Sequence, residues 1–324
     1  MAEADWELPP QAQPKPADYA YDLERALSSV VGLRATVPED AFTAQTLGTE
    51  RAGNGVVIRE DGIVLTIGYL VTEAESLWLN TIDGRVLPGH VVAYDQETGF
   101  GLVQALGRLN LPAVPFGQSA AVRVDDEVVV GGAGGLARSL AARVAARQEF
   151  AGYWEYLLEE ALFTTPAHPN WGGTGVLDAA GRLVGIGSLH LQQAREHGRP
   201  EHLNMNVPID LLKPIYDDLM TLGRPNKPPR PWLGFYATEI EDRVVIAGLA
   251  SDGPARRADL RVGDIVMSVA GQDVETLATL YRRIWSLGRA GVEVPITLQR
   301  DGQTLTITPR STDRATLLKK ARLQ

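Results

Sequence analysis

The stretch HPNWGGTGVLDAAGRLVGIG, residues 168–187, decides the fold class of this chain. Two adjacent glycines form a tight turn, and two short apolar runs follow on either side of a second turn at Ala180-Gly181. Similar runs recur from Gly53 onward, among them GVVIREDGIVLTI, SLWLN and DEVVVGG, with Asp61-Gly62 and Asp83-Gly84 between them. Short apolar strands separated by glycine turns are typical of an all-β barrel. The sequence therefore predicts a mainly β protein.

Composition excludes several classes of function. The chain has 324 residues, enough for two or three domains, and 44% of them are hydrophobic. A net charge of −9 argues against nucleic acid as the main partner, because phosphate-binding surfaces need clustered Lys and Arg. With no Cys there is no disulfide, thiol nucleophile or Cys-ligated metal. No apolar run approaches the roughly 20 residues that span a bilayer.

The chain divides into five predicted segments. A proline-rich, acidic lead (1–18) is predicted to be flexible, and a larger β-rich domain (19–222) includes short helices in YAYDLERALSS and in VPIDLLKPIYDDLMTL. A proline-rich linker (223–231) precedes a smaller domain (232–310) and a basic tail (311–324) that is expected to be a solvated helix. The acidic start lacks the pattern of a signal peptide. We therefore expect a cytoplasmic protein if Met1 is the natural start, and a periplasmic one if a signal peptide has been removed.

The smaller domain resembles a PDZ domain in its motif order. WLGF (232–235) lies where that family keeps its carboxylate-binding loop, and SDGPARRADLRVGDIVMSVAGQDV follows the family's helix, strand and turn. Successive backbone N–H groups of such a loop can hold a carboxylate, and the adjoining strand edge can accept an extended peptide. The resemblance implies that C-terminal or extended apolar peptides bind at Trp232, Leu233, Gly234 and Phe235, with Leu277, Tyr281 and Ile284 lining a side-chain pocket. The alternative for these last three is a purely structural core role.

The order of four further motifs resembles the HtrA family of trypsin-like serine proteases. GNGVVIREDGIVLTIGYLV resembles the segment of the catalytic histidine, VVAYDQETGFGLVQ that of the aspartate, and HPNWGGTGVLDAAGRLVGI the nucleophile loop. NMNVPIDLL resembles the strand and helix that close the domain. The resemblance implies a trypsin-like double β-barrel followed by one PDZ domain, and homotrimers for which Tyr19 and Tyr21 are candidate contacts. These two rings could equally pack on their own barrel.

None of the three catalytic residues of that family is present at the matching positions. Tyr69 stands for the histidine, Gly99 for the aspartate and Gly172 for the serine. A serine attacks only when an imidazole takes its proton, and tyrosine, with a pKa near 10, is a poor base. Asn170 and Trp171 stand in the loop that forms the oxyanion hole, where we expect Trp171 to alter or plug the pocket. The sequence predicts a protease homologue without a catalytic triad.

Two other chemistries were weighed against this prediction. Catalysis could have moved to neighbouring polar residues, with His168 or His190 acting beside Thr164, Thr165, Thr174 or Ser188, although solvated or structural roles are more common for such residues. His190, His197 and His202, with Glu196 and Glu201, have spacings that match no standard zinc pair, so we expect a polar loop and no metal.

The predicted function is peptide or protein binding by a catalytically inactive HtrA-like adaptor, scaffold or holdase, with no cofactor. Two alternatives stay open. One is an active endopeptidase of the same family, and the other is a dedicated structural subunit of a larger complex.

Overall fold

The computed structural model describes residues 7–193 and 200–319. These residues form two compact units. The first contains residues 7–148, 160–193, 200–226 and 319, and the second contains residues 149–159 and 227–318. Each unit has its own sheets and is described separately. Among the described residues, every helix is too short or too polar to cross a membrane.

The first unit begins with a closed six-stranded barrel in the order β1-β2-β3-β6-β5-β4. Leucine, valine and isoleucine fill its interior, and all five residues of β3 are buried. The strands are β1 (Val30–Thr36), β2 (Glu50–Val57), β3 (Ile63–Ile67), β4 (Ser76–Asn80), β5 (Val86–Tyr94) and β6 (Phe100–Ala105). Antiparallel pairing closes the ring between β1 and β4, so the barrel leaves no open edge.

A second closed barrel follows, in the order β10-β11-β12-β9-β8-β7. Its core includes Val128, Val130, Leu140, Val176 and Val184. The strands are β7 (Glu127–Gly131), β8 (Ser139–Gly152), β9 (Tyr156–Thr165), β10 (Gly175–Leu177), β11 (Leu183–Gln193) and β12 (Glu201–Pro208). The two rings confirm the predicted trypsin-like double barrel. The ends of β8 and β9 that meet at residues 149–159 belong to the second unit.

Three short helices accompany the barrels: α1 (Leu23–Ser28), α2 (Ala44–Leu47) and α3 (Tyr216–Leu222). Asp22 caps α1 by accepting a hydrogen bond from the Arg25 N–H at 3.0 Å, and β1 starts two residues after the helix ends. The sequence predicts helices in the regions of α1 and α3. In the second one, only α3 is α-helical, and Ile209–Leu211 forms a 3-10 turn.

The described part of the proline-rich lead packs on the second barrel. The Leu8 N–H donates to the Ala137 carbonyl at 2.9 Å, and the Ala141 N–H donates to the Ala12 carbonyl at 2.9 Å. Leu8 is buried in the core of the second barrel. Between these two bonds the segment turns, with the Ala12 N–H donating to the Pro9 carbonyl at 2.8 Å, so its backbone groups are paired both locally and with the barrel. Residues 1–6 lie outside the described part of the chain.

The two tyrosines proposed for a trimer contact lie near the start of the first unit. Their rings meet edge to face, with centroids 5.6 Å apart, and the Tyr21 ring lies against Gly181. Packing on the chain's own second barrel thus accounts for the position of Tyr21. The homotrimer stays a prediction.

The second unit is a sheet in the order β13-β14-β15-β17-β18, with β16 beside β15. Its elements are β13 (Phe235–Ile240), β14 (Arg243–Leu249), α4 (Pro254–Arg257), β15 (Ile265–Val269), β16 (Gln272–Asp273), α5 (Leu277–Ser286), β17 (Ile296–Arg300) and β18 (Gln303–Ile307). Helix α5 buries one face against the sheet. Thr276 caps α5 by accepting from the Thr279 N–H. This arrangement confirms the expected sheet with two short helices.

The expected helix in the C-terminal tail is reduced to a 3-10 turn, Arg314–Thr316, within the described residues. Just before this turn, Thr312 exchanges two backbone hydrogen bonds with Trp232. That pairing holds the chain extended and competes with helix formation. Residues 320–324 of the tail lie outside the described part.

Candidate functional site

The loop between β9 and β10 is fixed to the first barrel by one asparagine of β2. The Asn54 N–H donates to the Gly172 carbonyl at 2.7 Å, and its side-chain amide donates to the carbonyls of Asn170 and Gly172 at 2.9 and 3.0 Å. The amide oxygen of Asn54 accepts from the Ala133 N–H at 2.9 Å. Asn54 is 1% exposed, so one buried side chain joins three backbone segments. The loop is therefore part of how the two barrels pack.

Replacing Asn54 with alanine is expected to lower the free energy of unfolding by about 2 kcal/mol, because the Asn170 carbonyl and the Ala133 N–H each lose a partner. Chemical denaturation monitored by tryptophan fluorescence measures the loss. Asn226→Ala is the matched control, since Asn226 is exposed, and it should change stability by less than about 0.5 kcal/mol. Equal effects of the two substitutions would contradict a bridging role.

The Tyr69 side chain lies beside Gly172. It lies in the 3-10 turn Gly68–Leu70 after β3, and its hydroxyl donates to the Ser188 carbonyl at 2.8 Å. A Cβ atom built on Gly172 would lie 2.8 Å from the Tyr69 hydroxyl oxygen. Burial raises the pKa of Tyr69 above its ordinary value, so the phenol stays protonated at neutral pH. Tyr69 is thus a protonated hydrogen-bond donor beside Gly172, and it cannot serve as a general base at neutral pH.

Gly99 offers no carboxylate to this site. Its backbone conformation is also unfavourable for any residue with a side chain. Its φ is 83°, in the left-handed region that side chains rarely adopt. Its carbonyl accepts from the Gly68 N–H at 2.6 Å, and its N–H donates to the Asp95 carbonyl at 2.9 Å. The Asp95 carboxylate accepts from the N–H and hydroxyl of Thr98, at 2.9 and 2.7 Å. The Asp95 carboxylate is therefore used to stabilise the turn.

His168 is a buried structural residue. Its Nε2 lies 2.9 Å from the Arg138 carbonyl and its Nδ1 lies 3.1 Å from the Asn170 N–H, so the tautomer consistent with both partners carries its proton on Nε2. Burial lowers the pKa of His168, which keeps the ring neutral. The Asn170 N–H is thus directed at an imidazole nitrogen.

The residues considered for relocated catalysis bond to other groups. The Thr174 hydroxyl donates to the Trp171 carbonyl at 2.9 Å, and the Thr165 hydroxyl lies 3.4 Å from the His202 carbonyl. The Thr164 hydroxyl accepts from the Asn206 amide at 3.1 Å. No hydroxyl–imidazole hydrogen bond involving these threonines is found among the described residues, and a Ser/His-type relay requires one.

Trp171 stacks beside a pair of histidines. Its ring centroid lies 5.3 Å from that of His190, and the rings of His190 and His202 stack at 5.0 Å with Nε2 and Nδ1 3.1 Å apart. Within residues 7–193 and 200–319, no three His, Asp or Glu side chains cluster as metal ligands. His197 and Glu196, also considered as ligands, lie outside the described residues. Trp171 is partly buried, and its effect on the pocket stays a prediction.

The loop that the sequence predicts to bind a carboxylate holds one from the chain itself. The N–H groups of Leu233, Gly234 and Phe235 all donate to the side-chain carboxylate of Glu155, at shortest distances of 3.0, 2.6 and 3.3 Å. Gly234 has a φ of 78°, and a Cβ there would lie 2.7 Å from the Trp232 ring. Glycine is required at this position for the loop to present its N–H groups together.

The three predicted pocket residues of α5 are all buried. Leu277, Tyr281 and Ile284 pack in one apolar cluster that also contains Leu157, which belongs to the same unit. The Tyr281 hydroxyl donates to the Gly152 carbonyl at 2.7 Å and accepts from the Glu155 N–H at 3.3 Å. Tyr281 thus contacts the chain segment that carries Glu155. Sequence reasoning missed Glu155, and the aromatic run YWEY around it was the available signal.

Two family models match the chain. Residues 53–186 match a trypsin-like peptidase domain and residues 231–308 match a PDZ domain. Two closed barrels and the sheet of the second unit are the architecture expected of these two domains.

Among its relatives, a probable periplasmic serine endoprotease DegP-like of Halomonas elongata is 27% identical over 269 residues, which are 79% of this chain and 55% of that protein. Serine endoprotease DegS of Escherichia coli K12 is 24% identical over 312 residues, covering 90% of this chain and 85% of DegS. The chain thus spans about half of the DegP-like relative.

Solved structures share the fold. The HtrA-type protease AlgW with tripeptide has a TM-score of 0.53 and 21% identity, and the match covers 95% of this chain and 99% of that one. The serine endoprotease from Yersinia pestis has a TM-score of 0.52 at 21% identity, covering 90% of this chain and 96% of that one.

Proposed function

We propose that this protein does not hydrolyse peptide bonds and acts by binding polypeptide ends through its PDZ domain. The observation that carries the first half is the Tyr69 hydroxyl, which bonds to the Ser188 carbonyl and stands 2.8 Å from where a Cβ of residue 172 would lie. The cleft lacks a nucleophile, and the space for one is filled.

Magnitudes support the loss of activity. Removing the members of a serine-protease triad costs on the order of 10⁶ in turnover, or roughly 8 kcal/mol of barrier. Oxyanion stabilisation alone gives a far smaller rate enhancement, and here the Asn170 N–H is already bonded to His168. The neutral Tyr69 and the turn at Gly99 supply neither a base nor a carboxylate to orient one.

The binding half rests on the loop at residues 232–235. Its three N–H groups converge on one carboxylate, which is the chemistry that captures a C-terminal carboxylate. The related AlgW has been solved with a tripeptide and with a decapeptide. A partner of this chain would therefore present a free C-terminus and extended backbone, as an adaptor, scaffold or holdase requires.

Incubation of the purified protein with unfolded casein and with a fluorophosphonate probe tests the proposal. We expect no casein fragments and no covalent label above that of a heat-denatured sample, because no hydroxyl in the cleft is activated. Turnover or labelling that disappears in Thr174→Val would overturn the proposal, since Thr174 is the nearest hydroxyl in the loop sequence and valine conserves its shape.

A further inference from the structure

The hairpin tip at residues 149–159 adds to the open edge of the PDZ sheet. Strand β13 is the first strand of its sheet, with β14 on one side only. On the other side, the Ala237 N–H donates to the Tyr153 carbonyl at 3.0 Å, and the Phe235 N–H donates to the Glu155 carboxylate at 3.3 Å. Residue numbers rise in the tip as they fall in β13, so the two segments run antiparallel. This is the geometry of a peptide added by β-augmentation.

The Glu155 side chain takes the place of a peptide's terminal carboxylate. It is 5% exposed and accepts from three consecutive N–H groups of the loop. A buried carboxylate is costly without such donors, and this loop supplies them all from backbone. The register agrees as well, because Tyr153, two residues before Glu155, pairs with Ala237, two residues after Phe235.

Further contacts hold the tip in place. Leu157 joins the apolar cluster beneath α5, and the Tyr281 hydroxyl links the Gly152 carbonyl to the Glu155 N–H. Arg282, also on α5, pairs with Glu149 and with Glu159 on the two sides of the tip. The tip therefore engages the carboxylate loop, the strand edge and the side-chain pocket together.

The tip also carries a cost that a true C-terminus does not. Glu155 has a φ of 59°, a left-handed conformation that is unfavourable for a residue with a side chain. The chain must turn at this residue because it continues into β9. A peptide that ends at the loop needs no such turn, so an external C-terminus can compete for the same three N–H groups.

We propose that residues 149–159 are a tethered internal ligand of the PDZ groove, with Glu155 mimicking a C-terminal carboxylate, and that partner C-termini bind by displacing this segment. The proposal rests on the peptide-binding half of the proposed function and defines how that site is controlled. The occupant to be displaced is a segment of this chain, and the incoming ligand is a peptide with a free terminal carboxylate and an apolar last side chain.

The test uses the full chain and a fluorescein-labelled peptide made of residues 149–154 followed by a leucine with a free carboxylate. Glu155→Ala removes the competing carboxylate and should bind this peptide at least about tenfold more tightly than the wild type, because more of the population has a free groove. Glu160→Ala is the matched control, since the Glu160 carboxylate pairs with Arg147 in the first unit. The amidated peptide should not compete.

Equal affinity of wild type, Glu155→Ala and Glu160→Ala would overturn the proposal, as would a failure of Glu155→Ala to bind the peptide at all. Hydrogen exchange gives a second measurement. The amides of residues 233–235 should exchange at least about tenfold faster in Glu155→Ala than in the wild type or Glu160→Ala, and unchanged protection would contradict the internal ligand. Glu155→Gln keeps one acceptor oxygen, so its exchange rates at residues 233–235 should lie between those of the wild type and those of Glu155→Ala.

These outcomes are separable from those of the activity test. Casein cleavage by the wild type would remove the claim of inactivity and leave the displacement result standing. Conversely, absence of casein cleavage together with equal peptide affinity of the wild type and Glu155→Ala would support the claim of inactivity and contradict the tethered ligand.

Discussion

Gly173→Ala is expected to lower the free energy of unfolding of the first unit by more than about 4 kcal/mol or to prevent its folding. A Cβ on Gly173 would lie 1.8 Å from the Asn54 carbonyl oxygen and 2.6 Å from the Thr66 hydroxyl. The first of these is backbone in the middle of β2, which cannot move without breaking the pairing of β2 with β1. The φ of 78° at Gly173 adds a further penalty for any side chain.

Gly84→Ala is the matched control, because it measures the penalty of a positive φ without a steric clash. Gly84 has a φ of 80°, and an added Cβ there would have nothing within 4 Å. It should therefore cost about 1 kcal/mol, the conformational part alone. Urea denaturation of both variants separates the two contributions. Similar losses would show that the close approach of the loop to β2 contributes little to stability.

The docking of the hairpin tip is expected to weaken as pH rises. Burial raises the pKa of Glu155 to about 7, against opposing contributions from the three loop N–H groups and Arg314. The titratable neighbours are Tyr281 on α5, Tyr236 on β13 and Arg314 in the 3-10 turn. An undocked glutamate has a pKa near about 4.3. The docked state therefore binds the proton more tightly, and its advantage is full below the undocked pKa and lost as pH rises through about 7.

Hydrogen exchange at residues 233–235, corrected for the intrinsic pH dependence, measures this effect. The opening equilibrium constant should rise about tenfold or more between about pH 5.5 and 8 in the wild type. It should stay flat in Glu155→Gln, whose amide does not titrate. Peptide affinity is a poorer readout, because an incoming carboxylate would titrate in the same loop. An opening constant independent of pH would place the docked pKa of Glu155 at its ordinary value.

Much of the fold follows from local sequence. Glycine-separated apolar runs predicted a mainly β, barrel-like protein, the resemblance to the HtrA family implied two barrels, and the order of motifs around WLGF predicted the sheet of the second unit. The positions of Tyr69, Gly99 and Gly172 in the matching motifs also predict the loss of a catalytic triad, which stays a prediction. These features depend on residues that are near one another along the chain, where spacing and turn chemistry are informative.

Long-range contacts could not be predicted in this way. Glu155 lies 78 residues before Leu233, and its charged side chain in an aromatic run indicates an exposed hairpin until the partner loop is known. Asn54 and the oxyanion-type loop are more than 110 residues apart. His168 does bond within its own turn, because its Nδ1 accepts from the Asn170 N–H, but it is not solvated, since it is buried and bonds to Arg138 and Asn204. In each case tertiary partners determine the role, and no local pattern encodes them.

The hairpin tip has a consequence for which partners can succeed. Every polypeptide ends in a carboxylate, so an empty loop at residues 232–235 would meet a large pool of unrelated chain termini. A competitor on the same molecule acts at an effective concentration on the order of millimolar. Ligands that bind weakly and at low concentration cannot displace such a competitor. Only ligands that are abundant, clustered or anchored at a second point can displace it. The tether thus sets the selectivity of the groove without adding a contact to the ligand.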